Sequence, residues 1–159
     1  MLGIDPGSVR TGFALIESNG QQSRHLHSGY LKLDSTSLAQ KLGQIFTRIS
    51  HLITEYQPQE MAIEQVFMSK NASAALKLGQ ARGAAITACV NAGVPVYEYS
   101  AKAVKQATVG YGAASKDQIQ HMVLRILNMH KQLQEDEADA IAIALCHAHT
   151  GLNNARQHA

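Results

Sequence analysis

A chain of 159 residues has the length of one ordinary domain. Hydrophobic residues make up 45% of it and charged residues 16%, which favours a compact globular fold over a disordered chain. The formal net charge of +2, taken alone, argues against a strongly basic protein that coats DNA. The apolar stretch at 84–90 is far shorter than the ~20 residues of a membrane helix, and the first residues lack a secretory signal pattern. We therefore expect a cytoplasmic protein with no membrane partner.

The pattern of apolar and turn-forming residues predicts strands first and helices later. Pro6 and Gly7 end the first strand, and Ser18, Asn19 and Gly20 predict a hairpin turn between the next two. Later segments carry apolar residues at helical spacing. In chain order, the predicted elements are strands at 2–5, 11–17 and 24–33, a helix at 38–57, a strand at 60–67, a helix at 71–92, a strand at 94–99, a short helix at 102–108, and helices at 115–128 and 136–149.

This order of elements indicates the fold class. Strands joined by a hairpin are antiparallel, whereas strands joined through a helix are parallel. The sequence therefore predicts an α/β fold with a five-stranded mixed sheet, three antiparallel strands first and then parallel ones, flanked by helices. We expect one domain over residues 1–150 and a flexible polar tail over residues 151–159.

Four carboxylates stand where ordinary packing does not explain them. Asp5 ends the apolar first strand, and Glu64 lies inside a strand of hydrophobic residues. Acidic residues in such surroundings are costly unless they have partners. Asp136 and Asp139 are three residues apart, so they project from one face of the last helix. Ligands of α/β folds collect at the carboxyl ends of strands, where these four acids can meet.

Four negative charges in one site require cations. Carboxylate oxygens are hard ligands that suit Mg²⁺ or Mn²⁺. Two such ions about 3.5–4 Å apart can activate water and stabilise the leaving oxygen in phosphodiester hydrolysis. The residues themselves therefore favour a metal-dependent phosphoryl-transfer enzyme.

The segments that carry these acids resemble the RuvC family of Holliday-junction resolvases, in the RNase H-like superfamily. The resemblance covers nearly the whole chain in the expected order. Its most specific parts are Leu-Gly-Ile-Asp-Pro-Gly-Ser at 2–8, Ala-Ile-Glu-Gln-Val-Phe-Met at 62–68, Ala-Leu-Lys-Leu-Gly-Gln-Ala-Arg-Gly at 75–83, and Ala-Asp-Ala-Ile-Ala-Ile-Ala at 138–144. In this chain Glu135 and Glu137 add acids on both sides of Asp136.

The resemblance implies a fold, an activity and partners. It implies an RNase H-like nuclease domain in which Asp5, Glu64, Asp136 and Asp139 are the catalytic carboxylates and hold two Mg²⁺ ions, with Mn²⁺ as a possible substitute. The family acts as a homodimer on four-way DNA junctions in recombination and repair, and it nicks two strands of like polarity to leave ligatable 5′-phosphates. It works beside the RuvA and RuvB branch-migration proteins in the bacterial cytoplasm, at the nucleoid.

The positive charge is concentrated in the middle of the chain. Between positions 66 and 134 there are eight basic residues and two acidic ones, a net charge of +6, and the remainder carries −4. Such a segment can bind phosphates without regard to sequence. The resemblance further implies that Lys105 and Lys116 lie near the scissile phosphate and that Phe67 stacks on an unpaired base. The predicted DNA-binding residues are Phe67, Lys70, Lys77, Arg82, Lys102, Lys105 and Lys116.

Two alternatives remain open at this point. Asp5, Gly7 and Gly12 also resemble the phosphate loop of actin-like phosphotransferases, although those proteins usually contain two such domains. Within the RNase H-like group, a YqgF-like RNA-processing nuclease is the nearest rival.

Overall fold

The computed structural model describes residues 1–35, 37–66 and 71–157, with side chains up to Gly151. The elements that it contains follow the predicted order. They are β1 (Leu2–Asp5), β2 (Arg10–Ser18), β3 (Ser23–Lys32), α1 (Leu38–Tyr56), β4 (Met61–Glu64), α2 (Ala72–Asn91), β5 (Val96–Tyr99), α3 (Ala101–Val109), α4 (Lys116–Ile126) and α5 (Glu135–Gln157).

The five strands form one mixed sheet with β1 at its centre. Their order is β3-β2-β1-β4-β5, in which β1–β2 and β2–β3 are antiparallel and β1–β4 and β4–β5 are parallel. The predicted α/β fold with a mixed sheet is thereby confirmed. The turn between β2 and β3 uses the side chain of Asn19, whose Oδ1 accepts the N–H groups of Gln21 and Gln22.

Helices cover both faces of the sheet. The apolar stripe of α1, which includes Ile45 and Ile49, packs with α2 against one face. The other face is covered by α5, and α3 and α4 pack against the outside of α5. Because α5 is enclosed by the sheet and by two helices, residues 140–146 are buried on every side. This position explains why residues 140–146 are apolar on all faces of the helix.

Several element ends differ from the predicted ones. Strand β4 ends at Glu64 instead of continuing to residue 67, and α5 continues to Gln157, beyond the predicted end near 149. The capping box that begins α4 is present as predicted, with the side chains of Ser115 and Gln118 each bonded to the backbone of the other residue. Among the described residues, no helix has the length and apolar character needed to cross a membrane.

Candidate active site

Asp5 and Glu64 end two neighbouring parallel strands and point toward the same face of the sheet. In β1, Leu2 and Ile4 pack into the core under α1 and α2, so the alternation of side chains turns Gly3 and Asp5 toward α5. The same alternation in β4 turns Glu64 toward α5. Both carboxylates therefore lie at the strand ends, on the side where α5 begins.

At two glycines of the sheet, the backbone of α5 packs against the strands with no intervening side chain. A Cβ atom added at Gly12 would overlap the carbonyl oxygen of Asp136, and one added at Gly3 would overlap the carbonyl oxygen of Ala140. Glycine at these two positions permits the close approach. It brings the first turn of α5, with Asp136 and Asp139, beside the ends of β1 and β4.

The four acids, Asp5, Glu64, Asp136 and Asp139, interact electrostatically and form what we call the acid cluster. The pKa of Asp5 is raised to about 8, because partial burial disfavours its charged form and because the other three acids repel its negative charge. Burial also raises the pKa of Glu64 and of Asp139, and so does a neighbouring acid, Asp139 for the first and Asp136 for the second. The structure thus brings together all four predicted carboxylates at a site that favours bound cations or protons.

The donor chemistry of the acid cluster fits a hard divalent cation. Every ligand that it offers is a carboxylate oxygen, the type that Mg²⁺ and Mn²⁺ bind. Bound cations would relieve the repulsion that raises the pKa of Asp5. Within residues 1–35, 37–66 and 71–157, however, no three His, Cys, Asp or Glu side chains already have the spacing of ligands around one ion. The acid side chains therefore have to move closer together to coordinate one ion.

Two of the predicted DNA-binding lysines lie beside the acid cluster. The charges of Lys105, on α3, and Lys116, at the start of α4, oppose the rise in the pKa of both Glu64 and Asp139. Lys116 also forms an ion pair with Glu135. An open cavity of about 340 Å³ separates α4 from the start of α5 and is lined by Lys116, Gln120 and Asp139, among others. Two positively charged side chains and an open cavity thus lie where a phosphate could approach the acids.

Arg82 occupies a different kind of position. Its Nε donates to the carbonyl oxygen of Glu64 at 3.1 Å, and its terminal nitrogen pairs with Glu98 at 2.6 Å, with only 19% of the side chain exposed. The guanidinium therefore ties the ends of β4 and β5 to α2 and holds the backbone of Glu64. The sequence predicted a DNA contact for Arg82 and did not predict these contacts within the protein.

The other predicted DNA-binding residues lie farther out or outside the described residues. The side chains of Lys77, on α2, and Lys102, on α3, are exposed. Phe67 and Lys70 fall outside the residues that the structure describes, so their predicted contacts stay predictions.

Two features of the site were missed by the sequence-based prediction. Arg10 lies 4.0 Å from a carboxylate oxygen of Asp136, and its guanidinium lies over the ring of Tyr30 at 5.3 Å from the centroid. Glu137, which follows Asp136 in the chain, is buried and accepts a hydrogen bond from the Ser28 hydroxyl. The sequence contained a signal for the buried position of Glu137. This residue lies between two predicted metal ligands at the start of an apolar helix, and a buried acid there needs a partner of its own.

The cysteines and the buried histidine belong to the packing of the fold. Burial raises the pKa of Cys89 to about 12 and that of Cys146 to about 11, so both remain neutral thiols near pH 7. His147 is 2% exposed and bonded to the Tyr99 hydroxyl at 2.7 Å and to a carboxylate oxygen of Glu60 at 2.8 Å. Glu60 precedes β4, at the end of the sheet opposite the acid cluster.

Comparison with known proteins agrees with this architecture. Residues 1–147 match the family model described as crossover junction endodeoxyribonuclease RuvC. The protein of that name from Idiomarina loihiensis is 54% identical, over 96% of this chain and 89% of its own length. The solved structure of Thermus thermophilus RuvC is 34% identical, with a TM-score of 0.86 over 97% of both chains. The same protein in complex with Holliday junction substrate gives a TM-score of 0.90 at 34% identity, over 96% of this chain and 94% of that one.

The structural neighbours also account for the arrangement of the sheet and helices, which is the RNase H-like fold that the sequence resemblance implied. Sequence, fold and the position of the acid cluster lead to one assignment: the chain belongs to the RuvC family of crossover junction endodeoxyribonucleases.

Proposed function

We propose that this protein resolves four-way DNA junctions by nicking two strands of like polarity, with the acid cluster as the catalytic centre. The observation that carries the proposal is the meeting of Asp5, Glu64, Asp136 and Asp139 at the carboxyl ends of β1 and β4. Family membership implies use of a divalent metal. It also favours this interpretation over an RNA-processing nuclease or an actin-like phosphotransferase.

The four carboxylates would hold two Mg²⁺ ions, or Mn²⁺ in their place. Bound there, such ions make water a better nucleophile near neutral pH and stabilise negative charge on the leaving oxygen. In the hydrolysis, a bond forms between the water oxygen and phosphorus, and the bond from phosphorus to the 3′ oxygen breaks. The 3′ oxygen takes up a proton, and the cut strand keeps a 5′-phosphate that a ligase can use.

The residues around the acid cluster would position the DNA strand. Lys105 and Lys116 are close enough to Glu64 and Asp139 to attract a phosphate placed over the acids. The exposed Lys77 and Lys102 would bind the backbone farther away, and Phe67 and Lys70 follow β4 in the chain. Arg82 would act by holding the end of β4, in addition to the predicted DNA contact.

Symmetric nicking requires two active sites, and we propose that α2 forms the homodimer interface. Leu76 and Val90 are 64% and 62% exposed on this helix. A Cβ atom added at Gly79 or Gly83 would meet nothing within 4 Å, so this side of the helix is open to a second helix. We expect Leu76→Glu to shift the sedimentation coefficient from that of a dimer to that of a monomer, and an unchanged dimer would exclude this interface.

The wider setting follows from the same proposal. A resolvase of this family would act with the RuvA and RuvB branch-migration proteins, in the bacterial cytoplasm and at the nucleoid, during homologous recombination and repair. Copurification of RuvB with the protein on junction DNA, and its loss on linear duplex, would support that partnership.

The central experiment compares substrates directly. The protein is incubated with a synthetic four-way junction, a linear duplex of the same sequence, structured RNA, and ATP without DNA, each with and without Mg²⁺. We expect paired, symmetric nicks in the junction only, and only with the metal. Cleavage of RNA in preference to the junction, or turnover of ATP, would favour one of the two alternatives.

A variant tests the chemistry within the same assay. We expect Glu64→Gln to lower the cleavage rate at least about 100-fold, because it removes an acid at the site where charge develops. Junction affinity should stay equal or increase, since one repulsive charge is gone. Exposed Glu17, paired with Arg24, supplies the matched control Glu17→Gln. Metal-dependent cutting by Glu64→Gln at the parent rate would contradict the four-carboxylate site.

A further inference from the structure

Glu137 is a buried acid in the first turn of α5, between the two acids Asp136 and Asp139. Its side chain is 8% exposed. The Ser28 hydroxyl donates to its Oε1 at 2.6 Å, and the Lys131 ammonium donates to the same oxygen at 2.7 Å. Burial opposes ionisation of Glu137, but Lys131, Ser28 and the backbone N–H of Gln134 together hold the pKa of its carboxyl group below the ordinary value. A buried carboxylate with this many donors stays ionised and fixed in place.

Ser28, the partner of Glu137 on the sheet, is held in place as well. Ser28 lies on β3 and is 9% exposed. Because its hydroxyl hydrogen goes to Glu137, the Ser28 oxygen accepts a hydrogen from Nε2 of His25, 2.6 Å away. His25 can reach Ser28 because the ladder shifts between Leu15 and Ile16, which leaves Leu26 as an extra residue and turns His25 to the α5 face. The chain His25–Ser28–Glu137–Lys131 therefore joins the edge strand to the start of α5.

This chain of bonds holds the first turn of α5, whereas core packing holds the rest of the helix. Successive residues of a helix are about 100° apart, so Asp136 and Asp139 share a face and Glu137 points well away from both. Gly12 sets how closely Asp136 approaches β2, but a close backbone contact alone does not fix rotation. The side chain of Glu137, which points away from the acid cluster, does fix the rotation of this turn. Turning the helix would break the buried, charge-assisted hydrogen bonds of Glu137.

We propose that Glu137, clamped by Ser28 and Lys131, is a positioning residue that aims Asp136 and Asp139 at Asp5 and Glu64. The inference rests on the proposed function, because it takes those four acids as the ligands of the metal. Glu137 itself points away from the cluster and is not one of them. Loss of the clamp lets the first turn of α5 rotate, so the acids spend less time in the arrangement that binds a cation.

The test measures Mn²⁺ binding without DNA, by electron paramagnetic resonance of the free ion, and junction cleavage as a function of Mn²⁺ concentration. The variants are Ser28→Ala, Glu137→Gln and Lys131→Met. We expect each to weaken Mn²⁺ binding and to raise the half-saturating Mn²⁺ concentration by about tenfold. Saturating Mn²⁺ should restore most of the cleavage rate of Ser28→Ala, and junction affinity without metal should not change.

A control separates positioning from loss of stability. Ile49 is buried on the opposite face of the sheet, so Ile49→Val destabilises the fold without touching the clamp. It should leave the half-saturating Mn²⁺ concentration unchanged at a temperature where all the proteins are folded. Lys131→Met keeps the test valid if Glu137→Gln does not fold, because the Lys131 side chain is half exposed.

The outcomes distinguish the two proposals. If Asp139→Asn still binds Mn²⁺ and cuts at the parent rate, the proposed acid site fails, and the positioning role fails with it. If Asp139→Asn loses both properties while Ser28→Ala and Lys131→Met keep the parent Mn²⁺ dependence, only the positioning role is overturned. An equal shift in Ile49→Val would also overturn it, since a general loss of stability would then explain the effect.

Discussion

Replacing Asp5 by asparagine should make the metal-free protein more stable at alkaline pH. Asp5 is partly buried beside three other acids, and its pKa is raised to about 8 from an ordinary value of 3.8. Asparagine has nearly the same shape and cannot ionise. The variant therefore removes a charge that the folded protein holds at a cost, and it leaves the packing of β1 in place.

The size and sign of the effect follow from proton binding. Between pH 3.8 and about 8 the folded protein keeps a proton on Asp5 that the unfolded chain has lost. The free energy of unfolding therefore falls as the pH rises through this window. About four powers of ten in proton affinity correspond to at most about 6 kcal/mol. Water and counter-ions entering the site reduce the difference, and we expect about 1–3 kcal/mol at pH 9.

Thermal unfolding in EDTA, followed by circular dichroism from pH 4 to pH 9, measures this difference. At this chain length about 1–3 kcal/mol corresponds to a rise in Tm of roughly 3–10 °C at pH 9. The rise should vanish near pH 4, and added Mn²⁺ should stabilise the parent protein more than the variant. Asp34→Asn, at an exposed acid paired with Lys32, is the matched control. A variant less stable than the parent at pH 9, or a difference independent of pH, would refute the reasoning.

Three further changes test other parts of the structure. Lys105→Ala should lower junction binding or cleavage several-fold at physiological salt and leave the Tm unchanged. Fluorescence anisotropy measures the binding and single-turnover assays measure the cleavage. Unchanged kinetics would remove Lys105 from the site. Gly12→Ala should cost about 1–3 kcal/mol of stability, because its methyl group overlaps the Asp136 carbonyl, and should lower cleavage more than 10-fold even where the protein is folded. Gly43→Ala, on the exposed side of α1 with nothing within 4 Å of the new methyl group, should raise stability by about 1 kcal/mol and leave cleavage unchanged, as measured by urea unfolding; a loss of stability would contradict the open space around Gly43.

Much of the fold could be predicted because its signals are local. The hairpin turn at Asn19 and the capping box of Ser115 involve residues that are neighbours in the sequence, and both are present in the structure. The acid cluster could be predicted because Asp5 and Glu64 are acids in apolar strands, which is a costly arrangement without a use. The exact ends of β4 and α5 were missed, since polar residues can extend or end an element with little local cost.

The features of the site that the sequence did not predict depend on contacts between segments that are distant in the chain. Glu135, Asp136 and Glu137 look alike in the sequence, yet they bind Lys116, approach Arg10 and bind Ser28, respectively. Which acid does which is decided by the rotation of α5 against β3, and Ser28 is 109 positions away from Glu137. The DNA contact of Arg82 stays a prediction, whereas its hydrogen bond to the end of β4 and its ion pair with Glu98 could not be predicted because they exist only in the folded sheet.

The glycine contacts beneath α5 have a bearing on how the protein should respond to salt. Gly3 and Gly12 hold the helix by direct contact between backbones, which depends on shape and is unaffected by ionic strength. The exposed lysines that would bind DNA act through charges that dissolved ions screen within about 8–10 Å. Rising salt should therefore release the junction while α5 stays packed against the sheet at these two glycines. DNA affinity and the packing of α5 can then be tuned separately, the first by surface charge and the second by the glycines at positions 3 and 12.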